Sequence, residues 1–90
     1  MDFEYDPQKS ELNKSKHGID FEEARALWDD ENSFQADTIS QVEERFLVIG
    51  GIDGVIWTTV ITYRDENVRI ISVRRARGQE VENYDHRKRV

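Results

Sequence analysis

Apolar residues concentrate between Phe46 and Arg75, in three runs separated by two polar turns. Phe46 to Ile49 is apolar throughout. Val55 to Tyr63 is almost wholly β-branched or aromatic, the residue types that suit a pleated, packed surface. Val68 to Val73 is similar but carries Arg69 within it and Arg74 and Arg75 directly after. Asp53-Gly54 is a favoured two-residue hairpin turn, and Arg64-Asp65-Glu66-Asn67 is polar enough to form a second. The pattern predicts an antiparallel meander.

A register follows from those turns. A type I′ turn at Asp53-Gly54 pairs Ile49 with Thr58, Leu47 with Val60 and Arg45 with Thr62. A second turn centred on Glu66 pairs Thr62 with Ile70, Val60 with Ser72 and Thr58 with Arg74. Because side chains alternate between faces, one face then gathers Arg45, Thr58, Thr62, Arg64, Ser72 and Arg74. The other holds Phe46, Val48, Trp57, Thr59, Ile61, Tyr63, Ile71 and Val73, an apolar surface for a helix to cover. The assignment is conditional, since a slip of one residue in either turn exchanges the faces of a strand.

The flanking segments supply helices. Met1 to Tyr5 alternates like an edge strand. Asp6-Pro7 is a helix start, with Asp6 as N-cap and Pro7 in the first turn, and Gly18 is the stop. This first helix is polar nearly all round, so packing is expected to rest on Leu12 and a few stems. Asp20 with Glu23 opens a second helix, whose Phe21, Ala24, Leu27 and Trp28 form the apolar stripe expected to cover the sheet. Phe34 to Ile39 is a candidate strand, Gln41 to Arg45 leads into the meander, and Gln79 to Arg89 is a candidate charged helix anchored by Val81 and Tyr84. The fold class is therefore α+β: two N-terminal helices and a C-terminal helix on a four- to five-stranded antiparallel sheet.

Composition narrows the function. Ninety residues suit a single domain, and a charged fraction of 36% beside 37% hydrophobic residues fits a soluble globular chain. The chain has no cysteine, which removes disulfide and thiolate chemistry. No run approaches a membrane span and the N-terminus shows no signal-peptide pattern, so a cytoplasmic protein without membrane contact is expected. The net charge of −6 opposes a general attraction to nucleic acid. Its distribution is uneven, however: the first 44 residues are mostly acidic, whereas Arg64 to Arg77 and His86 to Arg89 are basic.

Four segments in this order and spacing carry a family resemblance: Phe3-Glu4-Tyr5-Asp6-Pro7; Lys16-His17-Gly18-Ile19-Asp20-Phe21-Glu22-Glu23-Ala24; Glu44-Arg45-Phe46; and Arg69-Ile70-Ile71-Ser72-Val73-Arg74-Arg75-Ala76. Together they resemble the BrnT toxins of bacterial type II toxin–antitoxin systems, over nearly the whole chain. The resemblance implies a fold similar to RelE-like and microbial-ribonuclease toxins, and metal-independent RNA cleavage, without a cofactor, that arrests translation and growth. It also implies a BrnA-like ribbon–helix–helix antitoxin as partner, through which alone the toxin would reach promoter DNA.

Metal-independent cleavage uses the substrate's own 2′-hydroxyl as nucleophile. The protein then supplies a base, an acid and cations for the charge that builds on the phosphoryl oxygens. Arginine suits the last task because its planar fork grips phosphate oxygens and keeps its charge. Arg64 and Arg74 are the candidates to hold the scissile phosphate, with Arg45, Arg75 and Ser72 as further substrate contacts. The same arginines also fit a plain surface role, paired with Glu43, Glu44 or Asp65. His17 is the candidate for proton transfer, or a cap on the last carbonyls of its helix. Lys16 can bind phosphate or complement the helix dipole. Glu44 can be a base or can orient Arg45, and Tyr84 can stack on a base or anchor the last helix. Two separated histidines give no metal site. A different class of function, a non-catalytic module that only binds its antitoxin within a promoter complex, fits the same charge asymmetry; a plain nucleic-acid-binding domain fits it less well.

Overall fold

The computed structural model of the chain describes residues 2–38 and 44–89. Five strands form one sheet: β1 (Phe3–Glu4), β2 (Phe34–Asp37), β3 (Phe46–Ile52), β4 (Val55–Arg64) and β5 (Asn67–Arg75), in the order β1-β5-β4-β3-β2. Three helices accompany it: α1 (Pro7–His17), α2 (Phe21–Ala24), which continues as a 3-10 turn over Arg25–Asp29, and α3 (Gly78–Lys88). The α+β class is as expected. The sheet, however, is mixed, because β1 runs parallel to β5 while every other pair is antiparallel. The last residue of the candidate strand Phe34 to Ile39, and the stretch Gln41 to Glu43, lie outside the described residues.

The first hairpin has the register its turn dictates. Asp53 and Gly54 both take positive φ, 50° and 83°, and Ile49 pairs with Thr58 and Leu47 with Val60. The second hairpin departs from expectation. Asp65 and Glu66 make a two-residue turn that pairs Arg64 with Asn67 and Thr62 with Arg69, not with Ile70. A β-bulge then admits one extra residue, Ile71, so that Val60 meets Ser72 and Thr58 meets Arg74, as the pattern predicted. The bulge exchanges the expected faces of the four residues from Val68 to Ile71. Ile70 and Val68, not Ile71, enter the core, at 2% and 0% exposure. Arg69 moves to the arginine-bearing front, and Ile71 lines hollows on that side.

The back of the sheet is the core. Val48, Ile61, Val68, Ile70 and Val73 pack under Ile19, Phe21 and Ala24, with Trp28 and Trp57 partly buried at the margin. Burial of side chains of this size stabilises the fold by roughly 1.5–3 kcal/mol each. The capping box at Asp20 and Glu23 starts α2 in the orientation that presents Phe21 to the sheet.

Helix α1 starts and stops as its sequence indicates. Asp6 caps the Gln8 amide, and Gly18 takes φ 82°. Its attachment differs from expectation: Leu12 is 69% exposed and anchors nothing. Docking is polar instead. Buried Ser10 accepts a hydrogen bond from the Phe21 amide at 2.9 Å. Buried Asn13 donates to the carbonyls of Ile19 (2.8 Å) and Val73 (3.0 Å) and accepts from the Val73 amide at 3.2 Å. The Asn13 amide thus pairs with the outer edge of β5 as another strand would, beyond the point where β1 ends. Asn13→Ala orphans buried groups on both sides, and a loss of about 2–3 kcal/mol is expected. Urea unfolding read together with faster hydrogen exchange at the Val73 amide checks this; a loss below ~1 kcal/mol would show that water replaces the side chain.

Helix α3 lies over half of the front. Arg74 reaches from β5 to Glu80 in a bidentate pair of 2.8 and 2.9 Å, and the Thr58 hydroxyl donates to the same carboxylate at 2.9 Å. Tyr84 is buried and donates to Asp30 at 2.6 Å, while Arg87 sits 4.8 Å from the centre of the Phe34 ring. The half of the front nearest the β4–β5 turn is left open.

Candidate functional site: a cationic hollow on the open half of the sheet

That open half forms a hollow of about 400 Å³, lined by Lys9, Arg45, Thr62, Tyr63, Arg64, Arg69 and Ile71. Alternation along the strands explains the gathering. Thr62 and Arg64 share a face on β4, the register brings Arg69 opposite Thr62, and Arg45 stands just before Phe46, whose side faces the core. Lys9 comes from α1. The Thr62 hydroxyl donates to the Glu44 carbonyl at 2.8 Å, which ties the approach to β3 onto β4. Glu4, paired with Arg69 across the β1–β5 ladder, brings a carboxylate to this face. Its oxygens lie 3.3 Å from Arg69, 3.8 Å from Arg64 and 3.4 Å from the Asn67 amide nitrogen.

A second hollow of about 220 Å³ shares Lys9 and Ile71 with the first and is also lined by Lys16, His17 and Ser72. The expected site residues therefore fall into two groups. Arg45 and Arg64 share the first hollow, and Lys16, His17 and Ser72 the adjoining one. The others stand apart. Arg74 is engaged with Glu80, whose carboxyl that arginine, against burial, holds down at about 2. Arg75 lies on the opposite face, its guanidinium 5.5 Å from the Trp57 ring. Tyr84 anchors α3, and burial followed by its bond to Asp30 pushes its hydroxyl up to about 12. Glu44 is exposed beside Arg45, at a neighbouring depression lined by Asp37 and Thr38.

Lys9, Arg69 and Glu4 are the residues that sequence reasoning passed over. Glu4 had a signal, since alternation with the apolar Phe3 sends it to the other face. Arg69 had none in the strand pattern, because the bulge that moves it across the sheet is set only by packing.

Four cationic side chains around one hollow make a local positive site on a chain of net charge −6. Such a cluster can take a polyanion through charge-assisted hydrogen bonds and can stabilise negative charge that develops on it. A larger cleft of about 650 Å³, between α3 and the β3–β4 turn, is bordered by Asp29, Asp30, Asp53 and Asp85 and has the wrong sign for this. Burial opposes ionisation of Asp30, but hydrogen bonds from Tyr84, Asn32 and Gly51 hold its carboxyl below the ordinary value. Among the described residues, no group of three or more His, Cys, Asp or Glu is arranged to hold a metal ion, and no helix is long and apolar enough to cross a membrane.

The chain is similar to one protein family over most of its length. The family model described as "Ribonuclease toxin, BrnT, of type II toxin-antitoxin system" matches residues 5–80. No curated protein matches the chain.

Proposed function

The chain belongs to the BrnT family of type II toxin–antitoxin ribonuclease toxins, and from that premise we propose that it cuts RNA without a metal ion, in the cationic hollow on the front of its sheet. The observation that carries this reading is the convergence of Lys9, Arg45, Arg64 and Arg69 from four separate segments onto one open hollow. Arg64 and Arg69 grip the scissile phosphate, and Arg45 and Lys9 take up charge on its oxygens. The RNA's own 2′-hydroxyl attacks. The adjoining hollow, with Lys16, His17 and Ser72, receives the continuing strand. Arg74, already bidentate on Glu80, serves to hold α3 rather than the substrate.

A family of this kind acts with a protein antitoxin, and a BrnA-like ribbon–helix–helix protein is the partner we infer. It silences the toxin and carries it to promoter DNA. Induced expression of the chain alone in a bacterium, with growth and total RNA integrity followed together, tests the reading. Arrest accompanied by RNA loss, reversed by co-expressed antitoxin, is the expected result. Normal growth with intact RNA, from folded soluble protein, would favour a module that only binds its antitoxin.

A further inference from the structure

Glu4 is a carboxylate in a place where a phosphate-binding site has no use for one. It stands beside the hollow, in contact with two of the arginines that line it, and not on a loose side chain. Its backbone is fixed in the β1–β5 ladder, where Phe3 pairs with Val68 and Glu4 with Arg69, and the Val68 amide donates to the Asp2 carbonyl at 2.8 Å. Phe3 packs edge-on against Trp28 at 4.8 Å on the core side, so alternation holds Glu4 on the front. The carboxylate stays near both phosphate-gripping arginines without being closed off by either. Its contacts of 3.3 and 3.8 Å contrast with the 2.8 Å of Arg74 on Glu80. Each arginine therefore keeps donors for a second anion, because a guanidinium carries five. Four cations against one carboxylate leave the hollow positive.

We propose that Glu4 accepts the proton of the attacking 2′-hydroxyl; the inference rests on the ribonuclease reading above. With the scissile phosphate on Arg64 and Arg69, an RNA strand that enters with its 2′-oxygen toward β1 brings that oxygen to Glu4. The carboxylate takes its proton as the 2′-oxygen bonds to phosphorus. The bond from phosphorus to the 5′-oxygen breaks, and the departing oxygen takes a proton from the solvent in the open hollow. The products are a 2′,3′-cyclic phosphate and a 5′-hydroxyl. The two arginines, 3.8 and 3.3 Å away, orient the Glu4 carboxylate beside the phosphate they hold, which a base in this position requires.

The test uses the purified full-length chain and its Glu4→Gln and Glu4→Asp variants, each checked for wild-type circular dichroism and thermal midpoint. Cleavage of a mixed-sequence single-stranded RNA is followed under single-turnover conditions. Affinity is measured with the 2′-O-methyl form of the same RNA, which cannot be cut. Glu4→Gln is expected to slow cleavage by about 10²-fold or more while affinity changes less than about threefold, the loss typical of a missing general base. Glu4→Asp, which keeps the carboxylate, is expected to recover part of the rate. If Glu4→Gln cuts RNA within a few-fold of wild type, or its rate loss is matched by a loss of affinity, Glu4 is only an ion-pair partner and the proposal fails. A misfolded Glu4→Gln transfers the decision to Glu4→Asp, where inactivity in a folded protein that still binds RNA also overturns it. A wild-type chain that binds RNA and leaves it intact sinks the ribonuclease reading itself.

Discussion

Arg74→Ala is expected to lower the free energy of unfolding by about 2–4 kcal/mol at neutral pH, because it breaks a bidentate pair shielded from water and leaves a carboxylate behind. The two side chains are only 23% and 15% exposed, so solvent screens them far less than it screens the surface pairs of this chain. The remaining partners of Glu80, the Thr58 hydroxyl and the Arg77 amide, are neutral donors and cannot replace the guanidinium. The pair also makes a distinct pH dependence. Arg74 holds the Glu80 carboxyl at about 2 in the folded protein, against 4.5 unperturbed. A depressed carboxyl stabilises the fold fully above the unfolded value and loses that contribution as pH falls toward the folded one. The wild type should therefore shed about 3 kcal/mol between roughly pH 5 and pH 2 from this group. In Arg74→Ala the slope across that window should flatten. Urea midpoints measured at pH 7, 5, 4 and 3 for both proteins give the comparison. Equal stability and equal slopes would mean that the α3 clasp contributes nothing.

Local sequence rules reached as far as local structure did. The N-cap at Asp6, the stop at Gly18, the capping box at Asp20 and the turn at Asp53-Gly54 are each decided within four or five residues, and each was legible. The pairing of β3 with β4 followed from the turn alone. The pairing of β4 with β5 did not, because a β-bulge is settled by how both faces pack once the sheet exists. Ile70 and Ile71 are chemically identical neighbours, and no pattern distinguishes the one that is buried. That ambiguity hid Arg69 from the site. A second illegible feature was the polar docking of α1. Leu12 is the helix's only large aliphatic residue, and periodicity favours it as the anchor; the contact is made instead by Asn13, whose value depends on an unpaired strand edge sixty residues away. The clasp of α3 was hidden for the same reason, since Arg74 and Glu80 meet only if the helix folds back over the front. An arginine counted from sequence as a phosphate ligand can thus be a fastener, and mutation separates the two roles.

The Arg64→Ala/Arg69→Ala double variant is expected to lose at least about 10³-fold in RNA cleavage while keeping the fold, because each removes a charged donor from the group proposed to take up negative charge in the transition state. Stability should change little. Arg64 is 63% exposed and Arg69 34%, and their contacts to Glu4 exceed 3.2 Å, the regime in which an ion pair adds under about 1 kcal/mol. RNA binding should weaken as well, and its dependence on salt should become shallower by about 1.4 in log–log slope, the change for two lost phosphate contacts on a single strand. Arg74→Ala supplies the contrast: measured below its lowered melting temperature, it should cut RNA at close to the wild-type rate. The two variants therefore move opposite quantities, one the activity and the other the stability. If Arg74→Ala abolishes cleavage in a folded protein and the Arg64/Arg69 pair does not, the reacting phosphate lies under α3. The helix would then have to move aside for RNA to bind, and its clasp to Glu80 would be the lock that opens.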